Sequence, residues 1–288
     1  MPVDEHAAQQ APQSVPAARG THIPVALSSS SVYPLGVEDT FSIARDLGYD
    51  GVEVMVTHRT ETQDAKALAR LSERYGQPIV AIHAPTLLLT QQVWGSAWEK
   101  LWRSAHLSQD LGCSTIVAHP PFRWQGSYAE KFAEGIAEIE EDTGILCAVE
   151  NMYPWRAGGR TAAMYLPHWD PVPQSYPHVT WDFSHAATAE ADSYESCRAL
   201  GSRLRHVHLT DGLTGGFKDD HLVPGRGEQR VAETLELLPE IGFDGVVAVE
   251  VATRSAKQAG EREQRLAESL EFARHHLGQE QDHGQEAY

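Results

Sequence analysis

Histidine and carboxylate residues recur where short apolar runs of this chain end. His83-Ala84-Pro85 follows Ile79–Ile82, His119-Pro120 follows Thr115–Ala118, and Glu150-Asn151 follows Ile145–Val149. Further on stand Asp182-Phe183-Ser184-His185, His206-Val207-His208-Leu209-Thr210-Asp211, Asp219-Asp220-His221 and Glu250, while Glu53 lies within the earlier run Val52–Val56. Singly, each has an ordinary explanation. A histidine at a strand end is more often a hydrogen-bonded structural group than a ligand, a carboxylate there is often merely solvated, and Asp219-Asp220 suits a charged loop. Alternate residues of a strand share a face, so His206 and His208 point inward together or outward together. Gathered on one rim, however, such groups crowd and desolvate one another unless a cation relieves them. No cysteine is among them, and nitrogen and oxygen donors suit Zn²⁺, Mn²⁺ or Fe²⁺.

What must gather them is a repeating framework. Eight β-branched apolar runs recur: Ile23–Leu27, Val52–Val56, Ile79–Ile82, Thr115–Ala118, Ile145–Val149, Val179–Thr180, Leu204–Leu209 and Val246–Val251. Helical spacing of apolar residues fills Thr62–Tyr75, Gln91–Leu111, Ser127–Asp142, Val231–Ile241 and Ala256–His276. Strands alternating with helices predict a parallel sheet, because parallel neighbours need long crossovers. Asp46-Leu47-Gly48-Tyr49-Asp50-Gly51-Val52 and Glu240-Ile241-Gly242-Phe243-Asp244-Gly245-Val246 repeat one pattern, a helix C-cap glycine followed by entry into a strand. A doubly wound sheet would carry a glycine-rich turn after its first strand, but Ser28-Ser29-Ser30-Ser31 stands there. The expected fold is therefore α/β, a single (β/α)8 TIM barrel over residues 21–278. Residues 1–20 read as a flexible tail and 279–288 as a polar one. In such a barrel the strand C-termini form the reactive face, which is where the histidines and carboxylates stand.

Composition narrows the function. Lys and Arg number 23 against 40 Asp and Glu, a formal charge of −17. That average field opposes nucleic acid, whose binding rests on basic contacts to phosphate. Cys113, Cys147 and Cys197 form no metal or disulfide spacing and read as core thiols of a reduced, cytoplasmic protein. No run is long enough to cross a membrane as a helix.

Three ordered patterns carry a resemblance: His119-Pro120, Asp182-x-x-His185, and His208-Leu209-x-Asp211 followed by Asp219-x-His221-x-x-x-Gly225-x-Gly227. With them the chain resembles the xylose isomerase-like TIM barrels, which include sugar isomerases and epimerases together with endonuclease IV, over roughly residues 22–277. The resemblance implies one divalent ion on Glu150, Asp182, His208 and Glu250. It also supplies counterparts of the extra ligands with which the endonuclease IV branch holds three zinc ions: His83 and His119, with Glu150 shared, and His185, Asp219 and His221. The cofactor expected is thus a divalent metal, zinc with up to three ions, or else Mn²⁺ or Co²⁺. Thr86 stands where the DNA-nicking branch has a tyrosine, and the loops Thr57–Thr62 and Met152–Arg156 are unlike that branch's DNA-penetrating loops. Those departures argue against abasic-site cleavage.

Two chemistries suit this rim. A sugar or sugar-phosphate isomerase or epimerase would use Glu150 and Glu250 as facing acid and base beside a metal-stabilised enediolate. His185 and Arg226 would then hold hydroxyls or a phosphate, and Trp124, Trp155 and Tyr153 would stack on the sugar, although ordinary loop packing explains those aromatics equally well. The alternative is a multinuclear-zinc phosphoesterase acting on a small phosphorylated substrate, which alone needs His83, His119, Asp219 and His221. A non-catalytic metal-dependent binding protein is the third reading. The sequence leaves the oligomeric state open.

Overall fold

The computed structural model describes residues 22–86, 92–157, 160–216 and 218–279. The N-terminal tail expected over 1–20 lies outside these residues, as does all but Gln279 of the C-terminal one. Strands β1 (Val25–Ser28), β2 (Gly51–Met55), β3 (Ile79–His83), β4 (Thr115–Ala118), β5 (Leu146–Glu150), β8 (Val179–Asp182), β9 (Leu204–Leu209) and β10 (Val246–Val249) close into one barrel in the order β1-β10-β9-β8-β5-β4-β3-β2. Every barrel pairing is parallel. This is the TIM barrel expected from the eight runs. The sequence did not announce the antiparallel hairpin of β6 (Trp155–Ala157) and β7 (Arg160–Ala162), which rises from the loop between β5 and β8.

Helices α1 (Val37–Leu47), α2 (Ala65–Tyr75), α3 (Ala97–Leu111), α4 (Ser127–Glu130), α5 (Phe132–Thr143), α6 (Phe183–Thr188), α7 (Ser193–Leu200), α8 (Val231–Glu240) and α9 (Glu261–His276) connect the strands. Their starts follow local chemistry more closely than apolar spacing. The helix expected from Gln91, itself outside the described residues, begins at Ala97, where Ser96 and Glu99 form a capping box. The helix expected from Thr62 begins after Asp64, whose side chain accepts from the amides of Lys66 and Ala67. The helix expected over Ser127–Asp142 is broken at Lys131, which leaves helical geometry (ψ 8°). The repeat motif behaves as anticipated: Gly48 and Gly242 both end helical segments with positive φ, 81° and 69°.

Strand alternation divides the side chains into two environments. On β9, Val207 and Leu209 join the apolar layer between sheet and helices, with Trp181, Phe41 and Phe132. His206 and His208 lie on the opposite, inward face, wholly buried. The register aligns the polar inward residues: Asp182 and Ala248 flank His208 on the neighbouring strands, and Thr180 and Val246 flank His206. Cys113, Cys147 and Cys197 are free and buried, with burial pushing their thiols up. Among the described residues no helix is long and apolar enough to cross a membrane.

Candidate metal centre

His208 Nδ1 lies 2.8 Å from Glu150 Oε1, 3.0 Å from Glu250 Oε2 and 3.8 Å from Asp182 Oδ2. All four residues stand on or just beyond strand C-termini, so the sheet itself determines their separation. The carboxylates are anchored through one oxygen each. Asp182 Oδ1 accepts from the His185 amide at 2.7 Å, and Glu250 Oε1 accepts from Ser30 Oγ at 2.9 Å. Their other oxygens, Asp182 Oδ2 and Glu250 Oε2, are buried without a hydrogen-bond partner, as is Glu150 Oε2. His119 Nε2 is only 2.8 Å from Glu150 Oε2, but the two are not aligned as a hydrogen bond. Orphaned, buried carboxylate oxygens are costly unless something binds them.

A second group adjoins the first. Asp219 Oδ2 receives His185 Nε2 at 3.1 Å and His221 Nε2 at 2.8 Å, while Ser184 Oγ donates to Asp219 Oδ1 at 2.5 Å. His83 Nε2 approaches Glu150 Oε2 at 3.6 Å. Three sets of donor atoms here lie close enough to share an ion: His83, Glu150 and His208; Asp182, His208 and Glu250; Asp182, His185 and His221. Asp219, not Asp220, faces this group; Asp220 pairs with Lys218. All nine residues named as ligands from the resemblance are therefore neighbours. The mixed nitrogen and oxygen donors fit a divalent ion.

The electrostatics describe a cluster organised around charge. Burial pushes the Glu150 carboxyl up, but the imidazoles of His208, His119 and His185 outweigh it and hold the group well below its usual range. Burial alone would lower His208, yet Glu250, Glu53 and Glu150 together raise it well above an ordinary histidine. His185 behaves likewise: Asp182, Asp219 and Glu150 overcome burial and push it up to about 10. Asp182 is raised because burial dominates. Protons thus occupy nitrogen positions that a divalent ion would take.

The loop bearing Asp219 and His221 is held by Asp211, which is a positioning group and not a ligand in this arrangement. Its carboxylate accepts from the amides of Gly212, Gly225, Gly227 and Gln229, at 2.8 to 3.2 Å, and its backbone pairs twice with Leu222. This explains the Gly225-x-Gly227 spacing. A Cβ on Gly227 would sit 2.3 Å from Asp211 Oδ1, and Gly225 has a φ of +81°.

The expected substrate contacts divide. Arg226 is not brought to the cluster: its guanidinium is exposed and pairs with Glu268 on α9, because the Gly225–Gly227 turn is drawn inward by Asp211 and leaves the intervening side chain outside. Trp124 and Trp155 do meet, 6.2 Å apart, on a wall with Phe122 and Tyr165, and Tyr153 lies 5.1 Å from His185. Glu53 and His206 were left out of the ligand set drawn from the resemblance, yet they join His208 in a further close group. The sequence signal was a lone carboxylate inside an otherwise apolar strand, Gly51-Val52-Glu53-Val54-Met55.

The chain is similar over most of its length to proteins of known sequence. An uncharacterized protein of Mycobacterium tuberculosis is 46% identical over 275 residues, covering 88% of this chain and 98% of that one. Fructoselysine 3-epimerase of Escherichia coli O157:H7 is 24% identical over 243 residues, 76% of this chain and 86% of that one. Among solved structures, a D-tagatose 3-epimerase-like protein superposes with a TM-score of 0.64 at 24% identity, over 88% of this chain and 99% of that one. Residues 41–276 match the xylose isomerase-like TIM barrel family, and the chain belongs to it.

Proposed function

We propose that the protein is a divalent-metal-dependent isomerase or epimerase of a small sugar or sugar derivative. The observation that carries this reading is the pair Glu150 and Glu250. They stand on β5 and just beyond β10, with β8 and β9 between; both approach His208 Nδ1, and each keeps a buried, unpartnered oxygen, Oε2. Glu150, Asp182, His208 and Glu250 would hold the ion, which supplies stabilisation for the negative charge that develops on substrate oxygens. One glutamate oxygen takes the proton from the carbon next to the carbonyl, and the bonding electron pair moves onto the carbonyl oxygen. The facing glutamate then returns a proton to carbon, either to the opposite face or to the neighbouring position. Ser30, fixed on Glu250 Oε1, keeps the other oxygen directed inward. The exposed Trp124 and Trp155 offer a stacking surface for the remainder of the substrate. The distant likeness to fructoselysine 3-epimerase supports this class of chemistry.

Incubation of the metal-loaded protein with ketoses in D₂O tests the proposal. Deuterium should enter one carbon-bound position together with formation of the isomeric sugar. Turnover without carbon-bound deuterium would count against the exchange of protons between two facing glutamates, and neither exchange nor isomer across a ketose panel would defeat the reading as a whole.

One observation favours a second chemistry. His83 and His119 adjoin Glu150, and His185 and His221 adjoin Asp219, so the donors for more than one ion are assembled. A multinuclear-zinc phosphoesterase would use them all. Release of phosphate from small phosphate esters, with no deuterium exchange, is its distinguishing result.

A further inference from the structure

Three imidazoles of the cluster are oriented in one way. Nδ1 of His83, His185 and His221 meets the backbone carbonyl of Ala84 at 2.9 Å, of Asn151 at 2.8 Å and of Glu250 at 2.7 Å. A carbonyl can only accept, so each Nδ1 carries a proton, and each Nε2 is the nitrogen turned toward the carboxylates that an ion would take once the proton there leaves. His208 is reversed. Its Nδ1 faces Glu150 and Glu250, and its Nε2 meets Glu53 Oε2 at 3.2 Å. Glu53 reaches it from β2, on the other side of β1 and β10, and lies 2.7 Å through the same oxygen from His206 Nε2. Glu53, His206 and His208 are wholly buried.

This reversal poses a chemical problem at the centre. A neutral imidazole has one proton. Two carboxylates at Nδ1 attract it to the side where an ion would bind, and a proton there excludes the ion. An acceptor at Nε2 draws the proton to the far side. We propose that Glu53, steadied by His206, is a positioning residue of the metal centre: it accepts the Nε2 proton of His208 and so keeps Nδ1 bare as the ligand nitrogen. The inference rests on the metal-centre reading above. It assigns roles to two buried residues that the nine-ligand set leaves unused, and it explains why a carboxylate stands inside an apolar strand. The alternative, that Glu53, His206 and His208 hold an ion of their own, is opposed by their complete burial, which leaves no solvent to complete a shell of three ligands.

The test uses full-length protein stripped of metal and titrated with Co²⁺ against a competing chelator. Glu53→Gln should weaken Co²⁺ binding about 10- to 100-fold, the range typical when the hydrogen-bond partner of a metal-binding histidine is lost. His206→Gln, which loosens Glu53 without removing it, should weaken binding in the same direction by less. Imidazole ¹⁵N shifts in metal-free wild type, taken at a pH high enough to leave His208 a single proton, should show that proton on Nε2, and in Glu53→Gln its displacement toward Nδ1. Unchanged Co²⁺ affinity in Glu53→Gln, or a wild-type His208 protonated on Nδ1 alone, would overturn the inference. So would loss of one whole equivalent of bound Co²⁺ in both variants with the remaining affinity intact, the signature of a separate ion. Should Glu53→Gln not fold, His206→Gln and the wild-type tautomer still decide it. Wild-type protein that binds no Co²⁺ at all would defeat the metal-centre reading instead, and the ¹⁵N shifts would continue to test the Glu53–His208 contact on its own.

Discussion

The candidate centre has two halves built by different means. Glu150, Asp182 and His208 stand on barrel strands, with Glu250 one residue beyond β10, and their spacing is the spacing of the sheet. Asp219 and His221 instead sit on the long segment between β9 and α8, and each side chain is about one-fifth exposed. His119, just past β4, is 17% exposed. The inner half is rigid because moving one ligand means shifting a strand whose backbone hydrogen bonds are shared on both sides. The outer half depends on Asp211 and Ser184, two short side chains that tether a loop. Loops anchored in this way give up their geometry at lower cost than strands do. The contrast suggests a division of labour, with chemistry on the inner half and a more adjustable role for the outer one.

The sharpest break of that comparison is Glu150→Gln, because Glu150 touches both halves through His208, His119 and His83. Turnover should fall by about 10³-fold, in the range for losing a group that acts at the transition state, and bound metal should fall with it. Steady-state rates and metal content measure both. His119→Ala separates the halves next. Under the isomerase reading deuterium exchange should stay within about tenfold of wild type, since an outer donor supplies no proton to carbon. A loss as deep as that of Glu150→Gln would move the chemistry to the outer half and favour the phosphoesterase.

Acidity offers a third, smaller effect. His208 and His185 are raised, the latter to about 10, so at neutral pH both hold protons that a metal must displace. Binding should therefore release protons and strengthen as pH rises, by up to about tenfold per pH unit for each proton released. Competition titrations at pH 6 and pH 8, with calorimetry in buffers of different ionisation enthalpy, check the sign. Affinity that weakens with pH would contradict it. For the fold itself the sign is opposite: raised histidines add stability that is complete below their unfolded pKa and fades as pH rises through the folded value, so metal-free protein should lose stability toward alkaline pH.

The smallest effect is expected at the aromatic wall. Trp124 is 55% exposed and stacks on Phe122 with ring centres 4.5 Å apart. Trp124→Ala should change unfolding free energy by only about 0.5 kcal/mol, the usual limit for surface positions. If the wall holds substrate, KM should rise while kcat changes little. Denaturation curves and saturation kinetics on one sample separate the two.

Much of this was legible in the residues. Apolar runs bounded by glycines marked the strands, since extended segments buried on both faces are continuously apolar, and His83, Glu150 and Asp182 could be placed on the rim because each ends a run. Arg226 misled because spacing to Gly225 and Gly227 locates a backbone but not the side of a turn on which a side chain emerges. Glu53 and His206 were visible yet had no partner in sequence: β2 and β9 are joined only by closure of the barrel.

The sequence by itself determined the alternation of strands and helices, the single barrel, and which side chains could reach its mouth, because these follow from periodicity and local caps. Tertiary structure alone decided that His206 and His208 turn inward, that Arg226 turns away to Glu268, and that Glu53 lies at the far side of His208. Those contacts join residues far apart in the chain. They are set by sheet register and barrel closure, which no local stretch of sequence encodes.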